Sequence, residues 1–182
     1  MRDDAPDLDL HQRRARLEDL VFHIPTTAGK TAMDDKLKQT ILDILGRNRV
    51  MSLATLRADG WPQATTVGYV SEGLDLYFLC GLDSQKARNL DRDDRVSLTV
   101  NDDPSDIMAI TGLSMAGHAR PVADPAEAAR IIARLPEKYP DSPPISMPMP
   151  TPDQVRIFRV TPSVISVLDY AKGFAHTDLV TV

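Results

Sequence analysis

The sequence predicts a small α+β barrel built from six or seven mostly antiparallel strands and two or three helices. Three observations lead to this class. Short runs rich in β-branched and aromatic residues follow one another between residues 50 and 80. Tight Gly-containing turns separate these runs, which favours antiparallel connections. Segments with helical spacing then interrupt the strands, and strand-like runs resume after each of them.

The chain has 182 residues, a length typical of one domain of roughly 150 residues. Residues 1–32 mix both charge signs and contain few large apolar side chains, which is typical of an arm or a loosely docked extension. We therefore expect an N-terminal arm over 1–32 and a single folded domain over 33–182.

Charge and composition exclude several classes of protein. The 26 acidic and 21 basic residues give a formal net charge of −5, which argues against nonspecific nucleic-acid binding. No apolar run approaches the roughly 18 residues of a membrane span, and the charged start lacks the apolar region of a signal peptide. The single cysteine, Cys80, cannot form an intrachain disulfide, and no Cys/His spacing resembles a zinc site. We expect a cytoplasmic protein without a metal site that binds neither nucleic acid nor membrane.

The first element of the domain is predicted to be a helix over 33–45. Asp34 and Asp35 favour its positive start, and Gly46 is a stop signal. Four apolar residues at helical spacing form its buried face: Leu37, Ile41, Ile44 and Leu45.

Three strands are predicted after this helix. The turns at Asp59-Gly60 and Glu72-Gly73 are a few residues long, so the strands form a meander and not a βαβ unit. The predicted strands cover 50–56, 63–70 and 74–80.

A short helix is predicted over 84–90, with Asp83 or Ser84 as its N-cap. The strand pattern resumes immediately after it, over 95–100. The sheet therefore continues on the far side of this helix.

A longer strand region over 106–122 contains Gly112 and Gly117. Glycines inside a strand indicate bulges, bends or the close approach of another group, so we expect a strongly curved strand. A helix over 124–135 follows, with Asp124 as its cap.

Proline dominates the next segment, with 7 of the 14 prolines between residues 136 and 152. Regular structure is not expected there, and a lid, a wrapped loop or a partner-facing segment is favoured. The Met-Pro-Met-Pro run at 147–150 either covers an open pocket or forms a surface loop. Strands over 154–160 and 163–169 complete the sheet.

Four segments, taken in order, link the chain to a known family. They are RVMSLATLRADGWPQATTV, LYFLCGLDSQKARNLDRDDRVSLTV, MAGHARPVADPAEAARI and VRIFRVTPSVISVLDYAKGF. Together they resemble the flavin-binding split-barrel proteins related to pyridoxamine 5′-phosphate oxidase, over roughly residues 37–182. The resemblance implies a split β-barrel, a homodimer with cofactor sites at the subunit interface, and an FMN-dependent oxidoreductase that transfers hydride through flavin N5.

The segment from Ser84 to Leu90 is a candidate phosphate site. A hydroxyl, backbone N–H groups and a Lys ammonium at one helix start can hold an anion. The resemblance assigns Ser84 and Lys86 to the FMN phosphate and makes Gln85 a cofactor-binding residue. Arg88 can add a second positive charge. From the residues alone, an ordinary capped surface helix with solvated charges is the simpler interpretation.

The second strand is expected to face the flavin through Thr65, Thr66 and Val67, although Thr is also simply a good strand residue. Pyridoxamine 5′-phosphate oxidases carry an Arg and, five residues later, a Lys that contact the cofactor phosphate. The equivalent positions here are Thr65 and Val70. This departure argues against pyridoxamine phosphate as the substrate.

The resemblance also places Leu79 and Cys80 along the flavin, although Cys80 equally suits a small buried apolar position. Tyr170 and Lys172 lie where family members place an aromatic or basic residue against the flavin, often from the other subunit. From the residues alone, Tyr170 also suits a core aromatic and Lys172 a solvated charge. Trp61 is expected to pack in the chain or at an interface.

Two alternative functions remain open at this point. The same fold binds a deazaflavin in some relatives, which would make the chain a deazaflavin-dependent reductase. A nonenzymatic flavin or haem protein is the second alternative, and His118 or His176 would then be tested as the axial ligand. The sequence assigns no catalytic residue, substrate or electron donor.

Overall fold

The computed structural model describes residues 33–139, 151 and 153–182. The predicted arm over 1–32, the Met-Pro-Met-Pro run and most of the proline-rich segment lie outside the described residues. The described chain contains three α-helices, eight strands and two short 3₁₀ turns. In chain order these are α1 (Asp35–Arg47), β1 (Val50–Leu56), β2 (Pro62–Gly68), β3 (Val70–Glu72), β4 (Asp75–Gly81), α2 (Gln85–Arg92), β5 (Arg95–Asn101), a 3₁₀ turn (Ile107–Ala109), β6 (Thr111–Pro121), α3 (Pro125–Lys138), β7 (Val155–Asp169), a second 3₁₀ turn (Tyr170–Lys172) and β8 (Thr177–Thr181).

All eight strands belong to one antiparallel sheet. Its order is β2-β1-β5-β6-β7-β4-β3, and β8 pairs with the second half of β7. The outermost strands β2 and β3 are joined by the single residue Tyr69, so the sheet must curl until its two edges meet. The predicted α+β split barrel is confirmed, with eight strands in place of six or seven.

The barrel interior is filled by the inward-facing side chains of the strands. The rings of Phe78 on β4 and Phe158 on β7 stack with centroids 5.4 Å apart. Helix α1 closes one end with Ile41, Ile44 and Leu45, and the buried hydroxyl of Tyr69 donates to the carbonyl of Leu45 at 2.9 Å. A second, smaller cluster lies outside the barrel between β4, β7 and α3: Tyr77, Ala128, Ile131 and Ile157.

The glycine pattern predicted a bulge in β6. The structure has a bulge at this place, but the extra residue belongs to the paired strand β7. The register between β6 and β7 shifts at Ala116 and Gly117, where Gly117 faces Pro162. Because a bulge relieves the ladder of one hydrogen bond, it tolerates a proline, which has no N–H to donate. The two strands predicted over 154–160 and 163–169 are therefore one continuous strand.

Several helix and strand limits differ from the prediction. Helix α1 passes through Gly46 to Arg47, because the ammonium of Lys138 donates to the carbonyls of Leu45 and Gly46 at 2.7 and 2.9 Å. Helix α3 continues past Pro136 to Lys138, where no regular structure was expected. The run predicted over 63–70 is split at Tyr69 into β2 and β3, and β8 was not predicted.

Candidate functional site

Helix α2 begins at the end of β4, and Ser84 is its N-cap. The hydroxyl of Ser84 accepts a hydrogen bond from the N–H of Ala87 at 3.2 Å. The N–H of Ser84 donates to the carbonyl of Gly81 at 3.1 Å, which fixes the turn between strand and helix. Of the two predicted caps, Asp83 and Ser84, the structure has Ser84.

A buried asparagine fixes α2 against the first two strands. The side chain of Asn89, 1% exposed, donates from Nδ2 to Thr55 Oγ1 at 2.9 Å and to Gln63 Oε1 at 3.1 Å. Its Oδ1 accepts from Gln85 Nε2 at 2.9 Å. Ala87 and Leu90 of the same helix are buried in the barrel core. The start of α2 is thus held rigidly beside one end of β1 and β2.

Positive charge collects at the start of α2. Lys86 is half-buried and has no hydrogen-bond or ion-pair partner among the described residues. Arg88 turns back over the helix start, where it donates to the Asp83 carbonyl and to Gln85 Oε1 at 3.1 Å. Since the N-terminal end of a helix is itself positive, cations there are unfavourable unless an anion binds.

The other two described helices each have an acidic residue in the first turn. The first turn of α1 contains Asp35 and that of α3 contains Glu127, whereas the first turn of α2 contains no acidic residue. Carboxylates at a helix start stabilise it through the helix dipole. Helix α2 is therefore the one described helix whose start lacks a negative partner within its own first turn.

The remaining predicted flavin residues of β2 divide between the two faces of the sheet. Thr65 is half-buried and Val67 is buried, and both lie on the face that lines the barrel interior. Thr66 is exposed on the outer face, opposite Ser52 of β1. Thr65 lies two residues beyond Gln63 on the same face, which places it on the α2 side of the barrel.

The two predicted flavin residues of β4, Leu79 and Cys80, also lie on opposite faces of the sheet. Cys80 packs against the barrel core, whereas Leu79 packs on the outer cluster beneath α3. Because neighbouring residues of a strand point to opposite faces, one small ligand surface cannot lie against both side chains. Cys80, not Leu79, shares the inner face with the start of α2.

Arg156 is a site residue that the sequence analysis missed. It pairs with Cys80 across β4 and β7, and its guanidinium binds Asp91 of α2 with two hydrogen bonds of 2.8 and 2.6 Å. The guanidinium also lies 4.9 Å from the centroid of the Phe158 ring. Hydrogen bonding to Arg156 lowers the pKa of the Asp91 carboxyl, and the same bonds raise the pKa of Arg156. No local pattern links Arg156 to Asp91, since the two residues are 65 positions apart.

Tyr170 and Lys172 lie at the far end of β7 from α2. Strand β7 has 15 residues, which corresponds to about 50 Å of strand length at roughly 3.3 Å per residue. Lys172 binds Asp178 at 2.7 Å, which raises the pKa of its ammonium, and the Tyr170 ring lies 5.3 Å from that of Phe174. Within the described chain, no hydrogen bond, ion pair or ring contact joins these two residues to Ser84 or Lys86.

Each of the two described candidate histidines has a carboxylate partner. His118 Nδ1 lies 2.8 Å from Asp94 Oδ1, and His176 Nε2 lies 3.2 Å from Asp178 Oδ1. Over the described ranges, no group of three or more His, Cys, Asp or Glu side chains is arranged to hold a metal ion. Trp61 is 71% exposed at the turn between β1 and β2, so it does not pack in the core of the described residues, and an interface role stays a prediction.

The outer face of the sheet carries small, uncharged side chains across five neighbouring strands. They form one row in register and are exposed or half-exposed, so none of the described helices covers them. This row of hydroxyl side chains is therefore an uncovered and uncharged part of the described surface. The row consists of Thr66, Ser52, Thr99, Ser114 and Ser166.

Comparison with models of known protein families gives a match over most of the chain. A family model described as pyridoxamine 5′-phosphate oxidase matches residues 37–169. No curated protein matches the chain significantly.

None of the helices in the described residues is long and apolar enough to cross a membrane.

Solved structures with the same fold have several functions. The conserved hypothetical protein Rv2991 from Mycobacterium tuberculosis is 26% identical, with 81% of this chain and 94% of that chain covered and a TM-score of 0.65. A Listeria innocua protein provisionally described as a pyridoxamine 5′-phosphate oxidase is 21% identical, with 73% and 98% covered and a TM-score of 0.61. HutZ, the haem storage protein from Vibrio cholerae, is 21% identical, with 68% and 88% covered and a TM-score of 0.54. The last two likenesses concern the fold alone.

Proposed function

Because the chain belongs to the pyridoxamine 5′-phosphate oxidase family, we propose that it is an FMN-dependent oxidoreductase whose cofactor phosphate binds at the start of α2. One observation carries this proposal. The half-buried Lys86 and the folded-back Arg88 both belong to the first turn of a helix that has no carboxylate in that turn. A phosphate dianion would neutralise both cations and accept hydrogen bonds from the first-turn N–H groups.

The surrounding residues fit a phosphate with a flat ring system attached. Asn89 and its bonds to Thr55 and Gln63 hold α2 in place, so the phosphate site would not need to be ordered by the ligand. Thr65 and Cys80 then lie on the inner face beside this helix and would contact the ring. Thr66 and Leu79 point the other way, and a role for them requires a ligand or partner on the outer face.

The chain's own contribution to the reaction is binding and orientation. FMN, when bound, supplies hydride transfer at its N5 atom. The ammonium of Lys86 would hold the phosphate, and the hydroxyl of Thr65 would hydrogen bond to the ring or ribityl chain. The half-buried position of Cys80 against the core would exclude water from one side of the ring.

A second copy of the chain completes the proposed site. Tyr170 and Lys172 lie at the opposite end of β7 from α2, so they would reach the cofactor only from a partner subunit. The small-residue row on the outer sheet face supports a homodimer with two sites at its interface. No residue of this row is charged, so pairing it with a second copy would bury no ionised side chain from this row.

Two positions argue against the substrate of the enzyme that gives the family its name. The positions of its two phosphate-binding cations are Thr65 and Val70 here, and Val70 is buried at 2% exposure. A buried valine offers no charge to a ligand. We therefore propose an oxidoreductase with another substrate, held over the flavin.

Haem binding is the second candidate function, and deazaflavin is the second candidate cofactor. The fold is shared with a haem storage protein, and His118 retains an Nε2 atom that Asp94 does not engage. A carboxylate on the other ring nitrogen is a common arrangement for a metal-ligating histidine. Deazaflavin would use the same inner face as FMN.

The visible absorption spectrum of the purified protein tests these candidates first. A flavin spectrum or saturable FMN binding is expected. Substitution Lys86→Ala should weaken FMN binding about tenfold or more, since a charge-assisted hydrogen bond contributes roughly 1.5–3 kcal/mol. Lys38→Ala, an exposed lysine on α1, is the matched control and should bind FMN normally.

Three outcomes would overturn the proposal. A Soret band that disappears in His118→Ala or His176→Ala would assign haem. Selective binding of deazaflavin would replace the cofactor. Equal FMN affinity in Lys86→Ala and Lys38→Ala would remove the phosphate from the start of α2.

A further inference from the structure

A second positively charged cleft lies on the outer side of β6 and β7, away from the α2 site. It has a volume of about 170 Å³, and none of its lining residues is acidic. The proposed flavin site uses none of them. The lining residues are His118, Arg120, Arg159, Thr161 and Ser163.

Two arginines face each other directly across this cleft. Arg120 on β6 is the register partner of Arg159 on β7. Their side chains are 72% and 46% exposed. Like charges directly opposite one another on antiparallel strands destabilise the pairing. One carboxylate beside each arginine offsets part of this repulsion, and an anion bound between the two guanidiniums would offset more of it.

The nearby carboxylates orient the arginines without filling the cleft. Arg120 Nε lies 3.2 Å from Asp94 Oδ2, and Arg159 Nη1 lies 3.3 Å from Glu127 Oε1. Neither carboxylate lines the cleft. Since a guanidinium has five N–H donors, Arg120 keeps further donors for a ligand.

Strand β7 adds two hydroxyl groups to the same cleft, one on each side of Pro162. Thr161 precedes Pro162, and Ser163 is the extra residue that the register shift leaves without a partner on β6. Because Thr161 and Ser163 are two residues apart on β7, both side chains lie on its outer face. Here both line the cleft together with the arginines.

His118 completes the set of donors. Its Nδ1 atom lies 2.8 Å from Asp94 Oδ1, so the ring is oriented by a carboxylate and its Nε2 atom is available to a ligand. The cleft therefore offers two guanidiniums, an imidazole and two hydroxyls. A carboxylate has only two oxygens to match them, whereas a phosphate group accepts from every side.

We propose that this cleft binds the phosphate group of a small-molecule ligand, at a site separate from the one at α2. The proposal goes beyond the proposed oxidoreductase function and does not depend on it. Either a free phosphate ion or the phosphate of an organic ester has the required chemistry, and the experiment separates the two.

Titration of the full-length protein with inorganic phosphate, at constant ionic strength, tests the cleft. The reporter is the NMR signal of the His118 ring, assigned by its absence in His118→Gln. We expect a saturable shift whose apparent affinity falls at least tenfold in Arg120→Gln and in Arg159→Gln. Arg57→Gln is the matched control, because Arg57 is 48% exposed and also pairs with a carboxylate, Asp59.

The two anion sites are distinguished by Lys86→Ala, which should leave the His118 titration unchanged. Phenyl phosphate is titrated in parallel, and tighter binding than inorganic phosphate would assign an ester ligand. Equal or weaker binding would assign the free ion. A shift that sodium chloride reproduces, or one that persists in both arginine variants, would overturn the proposal.

Discussion

Gly117 on β6 lies opposite Pro162 on β7, and a methyl group on Gly117 would sit 2.3 Å from the carbonyl oxygen of Thr161. It would also lie 2.9 Å from the Cα atom of Pro162. Both contacts are with backbone, which cannot move aside as a flexible side chain can. The close approach of the two strands at the bulge therefore requires glycine at this position.

Gly117→Ala should destabilise the protein by roughly 1–3 kcal/mol, the usual cost of overpacking a tight site. Gly46→Ala is the matched control, because a methyl group there would meet nothing within 4 Å. Gly46 lies inside α1, so its replacement by alanine should stabilise the helix by about 0.5–1 kcal/mol. Urea unfolding of both variants measures the difference. Equal stability of the two variants would show that the strands do not approach this closely.

The bulge also shows what sequence patterns can and cannot predict about this fold. The limits of β1 and the cap of α2 follow from local residue preferences, and the structure confirms both. Pro162 indicated a break between two strands, because a proline cannot donate to a ladder. Whether such a proline ends a strand or sits in a bulge depends on the partner strand, and Gly117 is 45 residues away along the sequence.

In the candidate site, too, contacts between residues far apart in the sequence could not be predicted. The positive start of α2 is predictable, since Ser84, Lys86 and Arg88 are close in the sequence. The facing pair Arg120 and Arg159 is not, because their meeting depends on the register of two long strands. Alternation along a strand could have separated Leu79 from Cys80, although it could not have said which of them faces the barrel interior.

A buried hydrogen-bond pair can be tested by a double-mutant cycle. Asn89→Leu would leave the buried Thr55 hydroxyl without the amide of Asn89, and should lower the free energy of unfolding by about 1–3 kcal/mol. Thr55→Val in the same chain removes the unsatisfied hydroxyl. The double variant should therefore lose less stability than the sum of the single variants, measured by urea unfolding. Strictly additive losses would mean that the two side chains do not interact.

An acidic side chain links the end of α1 to the sheet and gives a pH-dependent contribution to stability. Asp102 binds the guanidinium of Arg47, and it also accepts hydrogen bonds from the Thr111 hydroxyl and from Asn48 Nδ2 at 2.9 Å. These contacts hold the pKa of the Asp102 carboxyl well below its usual range, with the Arg47 hydrogen bond as the largest cause. The unfolded chain therefore binds the proton more readily than the folded chain.

Asp102→Asn should lower stability at pH 7, where the carboxylate is ionised in both states and its contacts are intact. The wild-type advantage should be fully present above the unfolded pKa of about 4 and shrink as the pH falls below it. Asp103→Asn is the control, since Asp103 has no partner among the described residues. Urea unfolding at pH 7, 5 and 3 measures both variants. A stability difference that stays constant with pH would rule out this linkage.

The outer row of small side chains can be tested through the oligomeric state. Ser114 is exposed near the middle of this row, between Thr99 and Ser166. Ser114→Arg would place a long charged side chain where the proposed homodimer packs the outer sheet faces of two copies together, and burying it would be costly. Light scattering should show a dimer for the wild type and a monomer for the variant. Gln39→Arg, on the exposed side of α1, should remain a dimer.

The variant must also unfold cooperatively, so that a monomer is not mistaken for a misfolded chain. A folded monomer should bind FMN more weakly than the dimer, because Tyr170 and Lys172 would no longer reach the start of α2 from a partner. If Ser114→Arg remains a dimer, the interface lies on another face of the barrel. If the folded monomer keeps full affinity for FMN, the site is complete within one chain, and the separation of these residues along β7 has no functional consequence.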